Sequence, residues 1–319
     1  MRRLQKKDIE KNRTLFEYLE LLLGDELNSY LEWILSLHPP ALRVNTLKIA
    51  REELIERLEK RGFKFEQLPF YKEGYRILDS PMEPGKTIEH YLGYYYIQDV
   101  ASMVPPVILD PKPGEKVLDL AAAPGSKTTQ MAQMMKNKGV IVANDISYER
   151  IKALSHNIDK LGILNTVITE TDGYKLGFWM EKYFDKVLID APCSALGTLH
   201  RSPEIVKWWG FDKIGKLVRT QRGLILAAYK ALKPGGKLMY STCTLTPEEN
   251  EGIIQFLLDK NPYVEILDFQ IEGITIRKGK KAWKRMKYNK EIEKTGYILP
   301  HENKMEGFYL ALIRKPKIS

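Results

Sequence analysis

Two cysteines are the residues of this chain best placed to do chemistry, and its 319 residues contain no others. Cys193 lies in KVLIDAPCSALGT and Cys243 in GGKLMYSTCTLTPEEN, so each follows a strand-like apolar run. Upstream, VLDLAAAPGSKTTQ has the pattern of a strand, a glycine turn and a helix start. Two cysteines at successive strand ends, downstream of a nucleotide-binding turn, predict a thiolate that acts beside a bound cofactor.

Other roles for these thiols fit their setting less well. Free cysteines are commonly buried and inert, but Asp190 stands close before Cys193 and both thiols follow strands. The wide separation of the two cysteines, with no nearby histidine pair, lacks the spacing of a metal site, so we expect no metal. A disulfide between them is geometrically possible but uncommon in the reducing cytoplasm, where two cysteines and no secretory signal place the chain.

The composition is that of an ordinary globular protein, with 44% apolar and 29% charged residues. Fifty basic residues against 41 acidic ones give a net charge of +9, which favours a polyanionic partner. No apolar run approaches the roughly 18 residues of a membrane span, so no membrane partner is expected. We expect a monomer.

Two regions with different patterns divide the chain. Apolar residues at three- and four-residue spacing predict helices to about residue 37, followed by a small α+β unit that ends in GYYYIQD. The stretch PPVILDPKPGEK is rich in proline and is the best candidate boundary. We therefore predict an N-terminal α+β domain at residues 1–107 and a catalytic domain at residues 108–319.

From Lys116 onward, short apolar strands alternate with helical stretches. VLDLA, VIVAND, NTVITE, DKVLIDA and KLMYST are the predicted strands, and buried parallel strands covered by helices are the expected result. The final GFYLALIRK is predicted to add an antiparallel edge strand.

A cofactor site is expected where the parallel strands end. Small residues and Gly125 in the first turn allow close approach to the backbone, and the helix start offers N–H donors to a carboxylate. Asp145 ends the second strand, where it could accept both ribose hydroxyls, and Asp172 follows the third, near the adenine. No P-loop pattern is present, and an acid without a pyrophosphate turn fits S-adenosylmethionine better than NAD.

The motifs DLAAAPGSKT, AND, TDG, DAPCSALGTLHRSPE and YSTCTLTPEENE, in this order, resemble those of the Sun-type RNA cytosine-5 methyltransferases. RVNTL, YYYIQDVAS and PHENKMEGFYLALIRK extend the resemblance over most of the chain. The resemblance implies an α/β fold, the Rossmann-like class I methyltransferase, with a mostly parallel seven-stranded sheet. A small α+β domain like an RNA-recognition module would precede it.

The resemblance also implies the roles of individual residues. Cys243 would attack C6 of cytosine and make C5 nucleophilic, and Cys193 would act in the later release. Asp190 would hydrogen-bond the N3/N4 edge of the base, and Lys127 would stabilise the same pocket. The expected cofactor residues are Ala121, Ala122, Ala123, Pro124, Gly125, Ser126, Lys127, Asp145, Arg150, Asp172 and Asp190.

A basic segment at residues 277–294, RKGKKAWKRMKYNKEIEK, is predicted to contact RNA phosphates, with Trp283 and Tyr288 as stacking faces. A weaker basic run includes Arg2, Arg3, Lys6, Lys7, Lys11 and Arg13. Transfer RNA is the predicted substrate, by analogy with short archaeal members of the family. Ribosomal RNA and a non-catalytic RNA-binding or assembly role are the alternatives, whereas a DNA methyltransferase would carry its nucleophile in the PC segment.

Overall fold

Three helices open the part of the chain that the computed structural model describes, residues 4–317. They are α1 (Lys6–Glu10), α2 (Arg13–Leu23) and α3 (Leu27–Leu35). Asn12 caps α2 by accepting a hydrogen bond from the Leu15 N–H at 3.1 Å. The Asn12 amide also donates to the main-chain carbonyls of Val206 and Trp209, at 2.9 and 3.0 Å. The capping residue thus ties the N-terminal helices to the second part of the chain, whose apolar core they share.

A four-stranded antiparallel sheet follows, in the order β2–β3–β1–β4. Its elements are β1 (Ala41–Val44), α4 (Arg51–Glu59), β2 (Lys64–Gln67), β3 (Gly74–Asp79), α5 (Ile88–Tyr91) and β4 (Tyr95–Ile97). Leu54 and Leu58 lie four residues apart on α4 and are fully buried, because they share the helix face that covers this sheet.

The proline-rich stretch predicted as a boundary begins as a helix, α6 (Val104–Leu109). Pro105 and Pro106 fall in its first turn, where the missing N–H groups would have no helical partner. The division of the chain at residue 107 stays a prediction.

The larger sheet has nine strands, not the seven predicted. They are β5 (Lys116–Asp119), β6 (Val140–Asp145), β7 (Thr166–Glu170), β8 (Phe184–Asp190), β9 (Leu232–Thr242), β10 (Glu265–Leu267), β11 (Arg277–Lys278), β14 (Gly296–Ile298) and β15 (Phe308–Arg314). Strands β5 to β9 are parallel, and the other four are antiparallel. The additional strands β10, β11 and β14 are two or three residues long, which is too short to give a sequence pattern.

Strand β15 is not the edge strand that the sequence predicted. It pairs with β9 on one side and with β14 and β10 on the other. Every residue of β15 except Arg314 is buried, which explains its almost continuous apolar sequence. Across the sheet, the strands follow the order β11–β14–β15–β9–β8–β5–β6–β7. From the neighbouring pair β5 and β8, the chain continues to β6 and β7 on one side and to β9 on the other. In open α/β sheets, ligands bind at the carboxyl ends of the strands at such a point.

Helices cover both faces of this sheet, as the alternating pattern predicts. They are α7 (Ser126–Met134), α8 (Tyr148–Leu161), α9 (Gly173–Trp179), α10 (Ile205–Trp208), α11 (Phe211–Ala231), α12 (Glu251–Lys260) and α13 (Pro300–Asn303). A separate hairpin, β12 (Ala282–Trp283) and β13 (Met286–Lys287), lies in the basic segment. Within residues 4–317, none of the helices combines the length and apolar character that crossing a membrane needs.

Candidate active site

The turn between β5 and α7 requires glycine for two reasons. Gly125 caps α7 with a φ of 101°, in the left-handed region that other residues avoid. A Cβ at this position would lie only 2.8 Å from Cδ1 of Leu154 on α8. This close packing holds the start of α7 beside the end of β5. The binding of a cofactor at this turn stays a prediction.

Asp145, at the end of β6, faces this turn and is only 2% exposed. Its carboxylate accepts hydrogen bonds from the N–H of Ala123 at 3.2 Å and of Ser147 at 3.0 Å. It also forms an ion pair with Arg150 Nη1 at 2.9 Å, and the same guanidinium donates to the Ala123 carbonyl. The structure therefore brings together three of the predicted cofactor residues: Ala123, Asp145 and Arg150.

Asn144 connects the ends of three neighbouring strands. Its amide donates to the carbonyl of Leu120 at 3.2 Å, after β5, and to that of Thr171 at 3.0 Å, after β7. Asp172 comes next and is exposed, and its side chain caps α9 by accepting from the Tyr174 N–H at 3.0 Å. Asp172 thus lies at the predicted sheet edge and has a structural role there as a helix cap.

Lys127 and Asp190 form a partly buried ion pair near the ends of β5 and β8, where the chain order of the strands reverses. Lys127 Nζ lies 2.6 Å from Asp190 Oδ2 and 3.1 Å from Ser102 Oγ. The other carboxylate oxygen, Asp190 Oδ1, accepts from Ser241 Oγ at 2.9 Å. Burial alone would lower the pKa of Lys127, but attraction to Asp190 and other nearby acidic groups raises it, so the side chain stays charged.

The two cysteines meet beside this ion pair. Asp190 on β8 is in register with Ser241 on β9, so the turns that follow the two strands lie side by side. The sulfur atoms of Cys193 and Cys243 are 3.3 Å apart, which is a hydrogen-bonding distance and far longer than a disulfide bond. Both cysteines are free, and each is half-buried as a residue.

The surroundings of Cys193 favour its protonated thiol. The hydrogen bond to Cys243, burial and the charge of Cys243 and of Glu249 raise the pKa of the Cys193 thiol well above its ordinary value. Cys193 therefore keeps its proton at neutral pH while Cys243 lies beside it.

Two side chains in this site were not predicted from the sequence. Ser102 contacts Lys127 from the YYYIQDVAS segment, and Ser241 contacts Asp190 from within β9. Both stand inside motifs that carry the family resemblance, which is the signal that could have identified them. The contacts of their hydroxyl groups depend on the tertiary structure, which brings separate segments of the chain together around Lys127 and Asp190.

The basic segment differs from the prediction at Trp283, whereas stacking by the half-buried Tyr288 stays a prediction. Trp283 is only 9% exposed, and its indole N–H donates to Glu248 Oε1 at 2.9 Å, so it is not a stacking face for bases. Lys284 and Lys281 form ion pairs with Glu248 and Glu293, at 2.8 and 3.2 Å. The segment is thus anchored by Trp283, and part of its charge is neutralised within the protein.

Other basic residues of this segment remain exposed. Arg285, Lys287 and Lys290 form no ion pair within the described part of the chain. In the N-terminal basic run, Arg2 and Arg3 lie outside the described residues. No cluster of three or more histidine, cysteine or acidic side chains suited to a metal is found between residues 4 and 317.

Two protein families match the chain. The family described as 16S rRNA methyltransferase RsmB/F matches residues 106–314, which contain every site residue described above except Ser102. The N-terminal domain of 16S rRNA methyltransferase RsmF matches residues 12–100.

Individual relatives act on different RNAs. The chain is 44% identical to the tRNA (cytosine(49)-C(5))-methyltransferase of Pyrococcus abyssi, over 87% of this chain and 88% of that one. It is 41% identical to ribosomal RNA small subunit methyltransferase F of Shewanella amazonensis, over 86% of this chain but only 58% of that one. The crystal structure of NSun6 from Pyrococcus horikoshii with SFG is similar at a TM-score of 0.81 and 29% identity, over 96% of this chain and 98% of that one.

Proposed function

The chain belongs to the RsmB/RsmF family of RNA cytosine-5 methyltransferases, and we propose that it methylates cytosine in transfer RNA through a covalent bond to Cys243. The observation that carries this proposal is the contact of the two sulfur atoms, 3.3 Å apart, beside the ion pair of Lys127 and Asp190. Cytosine C5 chemistry needs a nucleophile for C6, a group that removes the C5 proton and a group that holds the base, and the two thiols and the fixed carboxylate can fill these roles.

The cofactor of this family is S-adenosylmethionine, which supplies an electrophilic methyl group when bound. The residues present fit such a molecule, because the glycine turn is closely packed and polar groups border it. We propose that residues 121–127 hold its methionine part, that Asp145 and Arg150 hold the ribose, and that Asp172 lies near the adenine. The relative with SFG supports the choice of cofactor, since SFG is an analogue of S-adenosylmethionine.

Cys243 begins the reaction by giving an electron pair from its thiolate to C6 of the base. This attack turns the C5–C6 double bond into a single bond and moves its electron pair to the C4–C5 side of the ring as an enamine, so C5 becomes nucleophilic and can take a methyl group. Asp190 binds the N3/N4 edge of the ring, and Lys127 and Ser241 hold one carboxylate oxygen each. Because both oxygens are anchored before the base arrives, the carboxylate needs little reorganisation during the reaction.

Cys193 completes the reaction by removing the proton that C5 still carries after methylation. The electron pair of that C–H bond restores the C5–C6 double bond and expels the Cys243 thiolate. Once the sulfur of Cys243 is bonded to carbon, it no longer takes part in the hydrogen bond with Cys193. That hydrogen bond is the largest cause that raises the pKa of Cys193. Cys193 therefore becomes easier to deprotonate at the stage where a base is required.

Transfer RNA is the proposed substrate because the transfer-RNA relative is 44% identical and is matched over 88% of its length, against 41% identity for the ribosomal one. The chain spans 58% of the ribosomal relative. The test is methyl transfer from labelled S-adenosylmethionine to unmodified transfer RNA and to 16S ribosomal RNA, followed by bisulfite sequencing. We expect a single methylated cytosine in transfer RNA. Exclusive labelling of 16S RNA would replace the proposed substrate, and labelling of neither would favour a non-catalytic role.

RNA binding should depend on the exposed part of the basic segment. Replacing Arg285, Lys287 and Lys290 with alanine is expected to lower affinity and to flatten its salt dependence by up to about 0.7–0.9 in log–log slope per lost phosphate contact. Fluorescence anisotropy over a series of salt concentrations measures both quantities. The matched control is Lys281→Ala with Lys284→Ala, because those cations are already paired with acids. Equal effects of the two sets would show that exposure does not decide RNA contact here.

A further inference from the structure

Glu249 is a fully buried acid whose role is not explained by the reaction steps above. It lies in the segment after Cys243, and its Oε1 accepts hydrogen bonds from the Ser194 N–H at 2.9 Å and from Gln221 Nε2 at 3.0 Å. Its Oε2 accepts from the Ser194 hydroxyl. No basic side chain among residues 4–317 forms an ion pair with it. Burying a carboxylate that is held only by neutral donors costs free energy of folding. A role in positioning its neighbours would explain its presence here.

These hydrogen bonds hold the chain on both sides of Cys193. Ser194 follows Cys193 directly, and Glu249 contacts it twice. Pro192 precedes Cys193, and its carbonyl accepts from the same Gln221 amide at 2.8 Å. The turn that carries the Cys193 thiol is thus fixed by one carboxylate and the amide bound to it.

The same network reaches the second thiol. Ser194 Oγ lies 2.8 Å from Oγ1 of Thr244, the residue directly after Cys243, and 3.1 Å from Oγ1 of Thr246. Thr244 and Thr246 are also hydrogen-bonded to each other, at 2.9 Å. Glu249 therefore lies at the centre of a buried network that joins the two cysteine turns, and the contact between the sulfur atoms depends on their mutual position.

We propose that Glu249 is a positioning residue for the release step, holding the Cys193 thiol where it can reach C5 of a base bonded to Cys243. This inference rests on the proposed covalent mechanism. Attack and methyl transfer require Cys243, which directly follows β9. Only the release step requires the turn that carries Cys193 to keep its position relative to the turn that carries Cys243. Losing Glu249 should therefore affect release most.

Glu251 provides a matched control in the same segment. It is also fully buried, and burial raises the pKa of both Glu249 and Glu251 to about 7. Its carboxylate accepts from the Tyr297 hydroxyl at 2.6 Å and from the Lys280 N–H at 2.7 Å, on the side of the basic segment. It contacts neither cysteine turn through these bonds, so Glu251→Gln reproduces the loss of a buried acid without disturbing the thiols.

The test is a single-turnover reaction with labelled S-adenosylmethionine and transfer RNA, in which methylated RNA and the denaturant-resistant protein–RNA adduct are measured over time. For Glu249→Gln we expect the first methyl transfer to occur and decay of the adduct to slow by about 10- to 100-fold, as for a group misplaced by around an ångström. Ser194→Ala removes one of the same hydrogen bonds and should slow decay less. Glu251→Gln should show wild-type adduct decay.

Three results would overturn the inference. They are adduct decay at the wild-type rate in Glu249→Gln, equal slowing in Glu251→Gln, and loss of methyl transfer together with release. If Glu249→Gln does not fold, as judged by thermal unfolding, Ser194→Ala carries the test and wild-type decay there overturns it. Failure of the covalent mechanism itself is recognised separately, because Cys193→Ala would then also form no adduct.

Discussion

A Cys193→Ala variant should form a stable covalent complex with its RNA instead of completing the reaction. Cys243 remains able to attack C6, and the methyl group can be transferred, but the base that removes the C5 proton is missing. Turnover should fall by about two to four orders of magnitude, the usual contribution of a general acid or base. On a denaturing gel, labelled methyl groups should migrate with the protein. Ribonuclease should shorten the RNA of this species, but denaturant should not dissociate it.

The matched variants separate the two thiols. Cys243→Ala should abolish both methylation and the adduct, and the double variant should behave like Cys243→Ala. Because the sulfur atoms are only 3.3 Å apart, the geometry alone does not say which one attacks, so the experiment decides the order. An adduct with Cys243→Ala and none with Cys193→Ala would exchange the roles. Normal turnover in both would exclude covalent catalysis.

Asp190→Asn is expected to stop the reaction before the adduct forms. The change removes the charge that orients the N3/N4 edge of cytosine, and it leaves Lys127 as a buried cation without its partner, 7% exposed at the side chain. We expect kcat to fall by about 10²- to 10³-fold, as when a preorganised hydrogen-bonding group is removed from an active site. Combined with Cys193→Ala, the change should also prevent trapping.

Asp119→Asn is the control for this effect. Asp119 lies at the end of β5, is 1% exposed, and accepts from the Thr128 hydroxyl at 2.7 Å. Its one side-chain hydrogen bond, from Thr128, can equally be accepted by the carbonyl oxygen of asparagine, whereas Glu249 accepts hydrogen bonds with both of its oxygens. The substitution should therefore change kcat little. If both variants lose activity equally, buried charge near Lys127 matters in general, and the specific role of Asp190 in binding the base is wrong.

Much of the fold could be predicted from the sequence because its signals are local. The apolar strands, the helices between them and the glycine at the first turn are each encoded within a few residues, and the structure confirms the α/β class I architecture. Strands β10, β11 and β14 of the large sheet could not be predicted, because two or three residues carry no periodicity. The interior place of β15 depends on these strands, which cover its outer side.

The sequence also supplied the chemical groups of the site, since Lys127, Asp190, Cys193 and Cys243 stand in motifs of distinct composition. Only the tertiary structure decided how they meet, because their contacts span as many as 63 positions of the chain. The same holds for Trp283, whose burial depends on distant packing, and for Glu249, which joins both cysteine turns. Hydrogen bonds between distant segments form only when strand order and register set their distance, and no local pattern encodes that distance.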